Sequence, residues 1–300
     1  IRVRLWHNPT WTKYSNYEDV KKTIQIAKAE GMHVLLDFHF SDTWADPANQ
    51  TMPVGWSNEI DKLENEVYKY TQETLLKFVR SGITPDWVQT GNEVAGGFLW
   101  PLGKITSGDV SQWQNFVRLQ NACALAVREV LPKALTIVHL ECGGDYQRVQ
   151  WWLDNAQTFG LNNYDVLGLS YYSQWSGSLN DLSKTLNVVT SKFKKLVVIA
   201  ETAYPWTSKR FGNDVIDTNK APLVGHPLTI SGQKKFVLSL EKLLRQQPGN
   251  RGLGLWWWEP MAMQVLSSNG AISWNGGMAN SALVDSNGRV LPALSALNGQ

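Results

Sequence analysis

Seven short apolar runs recur along this chain, and stretches with the helical period lie between them. The runs are Val3–Trp6, His33–Phe40, Trp87–Thr90, Leu135–Leu140, Val166–Tyr171, Leu196–Ala200 and Leu253–Trp258. Most are nearly continuous in apolar residues rather than alternating, as strands covered on both faces of a parallel sheet must be. Val20, Ile24 and Ala27 share one face of a helix predicted over Glu18–Gly31, with Gly31 as its stop. Tyr68–Val79 carries Tyr68, Thr71, Leu75, Leu76 and Val79 on one face. Further helices are predicted over Trp113–Val130, Trp151–Phe159, Leu182–Phe193 and Gln233–Leu244. Strand–helix repetition of this kind predicts an α/β fold, most simply a (β/α)8 TIM barrel. Such a barrel needs eight strands. The chain opens inside a strand, at Ile1-Arg2-Val3-Arg4-Leu5-Trp6, so the first strand and its helix are expected to be the missing ones. No linker or shift in composition marks a boundary, which predicts a single domain over residues 1–300.

Charge excludes one class of partner: 28 basic against 26 acidic residues leave +2, no footprint for a nucleic acid. No apolar run approaches the ~18 residues that a membrane span requires. Cys123 and Cys142 are the only cysteines, too few for a disulfide framework or a four-cysteine zinc site. Tryptophan is the anomaly, at 15 of 300 residues. An indole offers a flat apolar face and one donor, so the excess suggests stacking surfaces, with about two-thirds of the rings assigned to the core. The longest polar loops, Ser41–Asn58, Thr202–Thr229 and Glu259–Asn280, all follow strand C-termini. In this fold that end carries the active site, so the asymmetry predicts an enzyme with an elongated cleft.

Two carboxylates stand at such strand ends. Glu93 follows Trp87–Thr90 in Thr90-Gly91-Asn92-Glu93, and Glu201 follows Leu196–Ala200. A single glutamate in a loop is usually a solvated one. A pair at matching ends, on strands numbered fourth and seventh if one is missing, instead predicts two acids facing each other across a barrel mouth. That is the equipment for glycoside hydrolysis, one group attacking the anomeric carbon while the other protonates the leaving oxygen. Asp37 and His39 share a strand face and are candidates to line the same mouth, directly or as hydrogen-bond partners. Glu141 ends its strand as a candidate substrate contact, and Glu259 precedes a proline, which suggests a turn. The five histidines fall into no metal-binding spacing, and phosphate-loop and nucleophile-elbow motifs are absent.

At these residues the chain resembles the endo-β-1,4-galactanases of glycoside hydrolase family 53. The resemblance runs through Arg2-Val3-Arg4-Leu5-Trp6 with Asn8-Pro9, Asp37–Phe40, Ser41-Asp42-Thr43-Trp44-Ala45-Asp46-Pro47 and Gly91-Asn92-Glu93. It continues through Leu99–Gly103, Ser170-Tyr171-Tyr172, Glu201-Thr202-Ala203-Tyr204-Pro205 and Trp257-Trp258-Glu259-Pro260, and so spans nearly the whole chain. It implies a retaining endo-hydrolase of β-1,4-galactan, the side chains of pectin, working through a covalent glycosyl-enzyme. Glu93 is then the acid/base and Glu201 the nucleophile. Asn92 contacts the sugar 2-hydroxyl, Arg2 (with Arg4 as second choice) keeps the nucleophile ionised, and Tyr172 hydrogen-bonds it. Trp44 and Trp258 are implied as galactose platforms, with His39 and Asp42 shaping the same site. Galactan and galacto-oligosaccharides are the implied partners, with no cofactor, a monomeric state, and a secreted, periplasmic or cell-surface location that follows from a polymeric substrate.

Departures qualify the resemblance. Some relatives hold a structural calcium ion after the nucleophile strand. Here Ser208-Lys209-Arg210-Phe211-Gly212-Asn213-Asp214 places two cations where acidic oxygens are needed, so no metal is expected there. His139-Leu140-Glu141-Cys142 lacks the aspartates common at that strand, and the last long loop has little tryptophan before Trp274, so the number of subsites does not carry over. An endo-glucanase or mannanase of the same clan, and a non-catalytic galactan-binding barrel, are the alternative readings.

Overall fold

The computed structural model describes the chain except for residues 107–108, 212–213, 219–223, 263, 267–271, 275–276 and 298–300, and gives the backbone of 264–266 and 272–274. Seven strands form a parallel sheet in chain order: β1 (Arg2–Leu5), β2 (Leu35–Phe38), β3 (Trp87–Thr90), β4 (Leu135–Leu140), β5 (Val166–Ser170), β6 (Leu196–Thr202) and β7 (Gly252–Trp257). Helices fall between them: α1 (Tyr17–Ala29), α2 (Ile60–Arg80), α3 (Val110–Val130), α4 (Tyr146–Thr158), the short α5 (Ser173–Ser176), α6 (Leu179–Asn187) and α7 (Ile230–Arg245). An antiparallel hairpin, β8 (Gln264–Leu266) with β9 (Ile272–Trp274), and a final α8 (Pro292–Leu297) complete the order.

The chain divides into two compact units, Ile1–Glu141 with Gln150–Gly168, and Cys142–Val149 with Leu169–Gln300. In the first, β1 to β4 pair in sequence, with Arg4 opposite Asp37 and Asp37 opposite Gln89. Helices α2 and α3 pack together outside these strands, burying Leu63, Val67, Leu75 and Phe78 of one and Phe116, Leu119 and Val127 of the other. Trp113, Phe116, Trp152 and Phe159 form a ring cluster there. In the second unit β6 pairs with β7, and Phe236 of α7 stacks on Tyr204 at 4.5 Å between ring centres.

Local sequence explains where the helices begin. Asn16, Asp109, Ser178 and Thr229 each accept an N–H from the first turn of α1, α3, α6 and α7. Three sequence expectations need correction. Helix α2 begins at Ile60 rather than Tyr68, because its charged opening turns carry few apolar residues and hide the period. The predicted Leu182–Phe193 helix is α6 followed by a wider π turn over Val188–Lys192. The Glu259–Asn280 loop contains the β8–β9 hairpin. Tryptophan is also less buried than expected. Only Trp6, Trp113, Trp152 and Trp257 are buried among the described rings, while Trp11, Trp151 and Trp175 are exposed; the Trp274 side chain lies outside the described residues.

Candidate active site

In the first unit a network joins Arg2, the first residue of β1, to Asp37 and Gln89 near the C-terminal ends of β2 and β3. Parallel register places Asp37 beside Gln89, and Arg2, two residues before the Arg4 that pairs with Asp37, reaches both with its long side chain to form one buried network. The Arg2 guanidinium donates to Asp37 Oδ2 at 2.8 Å, to Gln89 Oε1 at 3.0 Å and to Asn92 Oδ1 at 2.6 Å. Gln89 returns its amide N–H groups to Asp37 Oδ1 at 2.7 Å and to the Gly91 carbonyl at 3.0 Å. Burial disfavours the charge on Asp37, yet Arg2 and His39 outweigh it and hold the carboxyl below its ordinary range. His39 Nδ1 accepts the Ala45 N–H, so Nε2 carries the proton that it donates to Asp37 Oδ2 at 3.0 Å.

Asn92 is fixed at both ends, Oδ1 by Arg2 and Nδ2 by donation to the Ala45 carbonyl at 2.8 Å. Gln50 binds the Asn92 carbonyl at 2.8 Å. This ties the loop carrying Asp42 and Trp44 to the segment carrying Glu93. Glu93 itself is half-buried and adopts φ 51°, ψ 53°. A left-handed glutamate costs about 1–2 kcal/mol. The preceding Gly91, at φ +97°, must lack a side chain, since a Cβ there would stand 2.8 Å from Val94. Phe40 and Glu259, just past β2 and β7, share this left-handed conformation. Three non-glycine residues past strand ends therefore hold strained backbone where chemistry is expected.

His139 is fully buried, with Nδ1 3.3 Å from the Glu93 amide and 3.0 Å from Asn92 Oδ1. Burial and the Arg2 charge push it far below the ordinary histidine value, so it is neutral. Gln89 and His139 were not singled out from the sequence as site residues. Their signal was available: each is a polar side chain inside an otherwise apolar strand. Asp42 joins loops, with Oδ1 accepting from His7 and the Asn8 amide and Oδ2 from the Val54 amide. Trp44 is half-buried, edge-on to Trp6, with the Arg4 guanidinium 4.0 Å from its ring centre. Glu141 Oε2 meets the Ala95 amide at 3.3 Å.

The second unit holds Glu201 differently. Strand β6 extends through Thr202, so Glu201 lies within it, and its side chain is buried. Its carbonyl accepts the Tyr171 amide at 2.9 Å, and Tyr172 Oη donates to Glu201 Oε2 at 3.1 Å. Thr202 Oγ1 donates to the Tyr171 carbonyl at 2.7 Å, while the Thr202 carbonyl accepts the Trp258 amide at 2.8 Å. Trp258 is half-buried directly after β7. Two strand-end carboxylates are thus each positioned within their own unit, one partly open to solvent and one enclosed. That difference suits an acid that exchanges protons with solvent and a carboxylate that does not.

Comparison with known proteins identifies the family and the fold. Residues 1–297 match the model of glycosyl hydrolase family 53. An arabinogalactan endo-β-1,4-galactanase of Cellvibrio japonicus is 38% identical over 270 residues, covering 87% of this chain and 69% of that protein. A fungal β-1,4-galactanase structure superposes with a TM-score of 0.82 at 30% identity, covering 99% of this chain and 86% of the other. The catalytic domain of the Ignisphaera aggregans family 53 protein gives a TM-score of 0.88 at 30% identity, over 99% of this chain and 84% of that one. These likenesses establish the (β/α)8 TIM-barrel class that the strand–helix alternation predicts. The chain belongs to glycosyl hydrolase family 53 and is a glycoside hydrolase.

Proposed function

We propose that this protein is a retaining endo-β-1,4-galactanase that cuts galactan, including the side chains of pectin. The observation that carries the reading is the pair of strand-end glutamates in a family 53 chain, Glu93 after Asn92 and Glu201 under the Tyr172 hydroxyl. Glu201 attacks the anomeric carbon while Glu93 gives its proton to the departing glycosidic oxygen. Glu93 then takes a proton from water, which opens the glycosyl-enzyme from the same face. Asn92 binds the sugar 2-hydroxyl, a contact that strengthens as positive charge develops on the ring. Arg2 supplies the positive charge that keeps the nucleophile ionised, and Tyr172 orients it. Trp44 and Trp258 act as galactose platforms, with His39 and Asp42 shaping the site and Glu141 at its edge. The whole chain acts as one catalytic domain, as a monomer outside the cytoplasm, without an organic cofactor. Calcium is not expected after β6. Asp214 Oδ2 there accepts the Phe211 amide at 2.7 Å and Oδ1 the Ala279 amide at 2.8 Å, while Gly212 and Asn213 lie outside the described residues.

The test is reducing-sugar release from linear β-1,4-galactan beside cellulose, mannan and xylan, with proton NMR of the first product. Release from galactan alone, as mid-sized oligomers with β configuration, is expected. Release from a glucan or mannan instead overturns the substrate, α product overturns retention, and binding without release favours a non-catalytic barrel. Glu93→Ala and Glu201→Ala should each lose roughly a thousandfold in kcat, about 4 kcal/mol of barrier. Azide should rescue the Glu201 variant with inverted product.

A further inference from the structure

The segment between β1 and α1 carries an aromatic ring that the proposed reaction does not use. Trp11 is 56% exposed, yet it is not loosely held. Its Nε1 donates to the Asp42 carbonyl at 3.1 Å, and its ring packs on buried Trp6 at 5.0 Å between centres. Trp6 in turn meets Trp44 at 5.2 Å. Trp44, Trp6 and Trp11 therefore pack one on the next, and Trp11 is the member that presents its ring to solvent. Asp42 fixes this arrangement, because it also holds the Val54 amide, and the Val54 side chain is 87% exposed. The protein has satisfied the one polar atom of Trp11, so its exposed surface is apolar and rigid. Such a surface costs little ordering entropy to use, and the C–H face of a pyranose is its natural complement.

We propose that Trp11 is an outlying sugar-binding platform that engages the polymer beyond the units in contact with Trp44. This rests on the polysaccharide hydrolase reading above and specifies where a long chain is gripped. It makes turnover depend on chain length: substrates long enough to reach Trp11 gain from it, and short ones do not. The ring is a binding residue remote from the bond being cut, so its loss leaves chemistry on a short substrate intact.

The experiment compares wild type, Trp11→Ala and Trp11→Phe on one polymer and on a trisaccharide of the same linkage. The polymer is whichever one the wild type cleaves, so a wrong sugar assignment leaves this comparison standing. For Trp11→Ala, kcat/KM on the polymer should fall about five- to tenfold, chiefly through KM, with the trisaccharide value unchanged within about twofold. Trp11→Phe, which keeps a ring but loses the bond to Asp42, should recover part of the polymer value. Affinity electrophoresis through gels containing the polymer should show the same order of retardation. Equal losses on both substrates would assign Trp11 to holding the Asp42 loop, and unchanged polymer kinetics would remove it from binding; either result overturns the proposal.

Discussion

The two units hold their carboxylates by opposite means. Around Glu93 the first unit builds a charged, fully hydrogen-bonded network in which Arg2 meets Asp37, Gln89 and Asn92, and His39 braces Asp37 from the other side. Around Glu201 the second unit relies on backbone. The residue sits inside β6, its carbonyl is paired with Tyr171, and the neutral Tyr172 hydroxyl donates to its carboxylate. Nearby carbonyls are gathered by another neutral group, buried Gln233, whose Nε2 donates to Tyr204 at 3.0 Å and Ala282 at 2.9 Å. A charge network positions precisely but fails badly when one member is lost, because the partner is left as a buried unpaired ion. A neutral scaffold degrades gradually.

The largest effect should follow from breaking the first arrangement. Arg2→Ala strands a buried Asp37 carboxylate and should cost about 3–5 kcal/mol in urea unfolding. A loss under ~1 kcal/mol would show that the network is not held by charge. Gln233→Ala, in the second unit, should cost about 1–3 kcal/mol by leaving the 204 and 282 carbonyls unmet. If it matched the Arg2 variant, the contrast between the units would collapse.

Acid sharpens the same contrast. His139 is buried and titrates well below its ordinary value, so below about pH 6.5 the unfolded chain binds a proton that the folded one refuses. Stability therefore falls as pH drops, by up to about 1.4 kcal/mol per pH unit from this one group. Asp37, held below its ordinary value, adds a further loss once the pH passes below about 3.8. Calorimetry from pH 7 to 5 should show the stability advantage of wild type over His139→Gln shrinking. A constant difference would mean that His139 is charged in the fold.

Tyr172→Phe should cost at most about 1 kcal/mol of stability while slowing turnover, since only the hydroxyl is lost. The smallest contrast lies at Glu93. Both Glu93→Gly and Glu93→Ala are expected to be inactive, but the glycine variant should be about 1 kcal/mol the more stable, because φ 51° suits glycine. Equal stabilities would show that the left-handed turn relaxes when the carboxyl is removed.

Much of the fold was legible because parallel strands announce themselves. Runs such as Leu135–Leu140 and Trp87–Thr90 are buried on both faces, and the predicted bounds of both coincide with the observed strands. Helix α2 was half hidden, since only Leu63 and Val67 are buried among its first eight residues. In the site, Glu93 and Glu201 were visible as acids at the ends of apolar strands. Gln89 and His139 were passed over: each stands out as a polar side chain inside an apolar strand, but the strand does not show which partners it will meet. Asp42 was read as shaping the substrate site, and within the first unit its carboxylate is taken up by amides at 8 and 54 and by His7.

The sequence by itself determined the alternation of strands and helices, the family, the two strand-end glutamates and the motif that carries Asn92. These depend on residue types and short spacings, which local periodicity and motif order preserve. Only the tertiary structure decided that Arg2 reaches residues 35, 87 and 90 positions away along the chain, and that Trp11 is pinned to a carbonyl 31 positions on. It also decided that Glu93 pays for its place with a left-handed backbone. Parallel pairing brings strands together that are separated by long crossover connections, so a side chain's partners lie tens of residues away, beyond any local window.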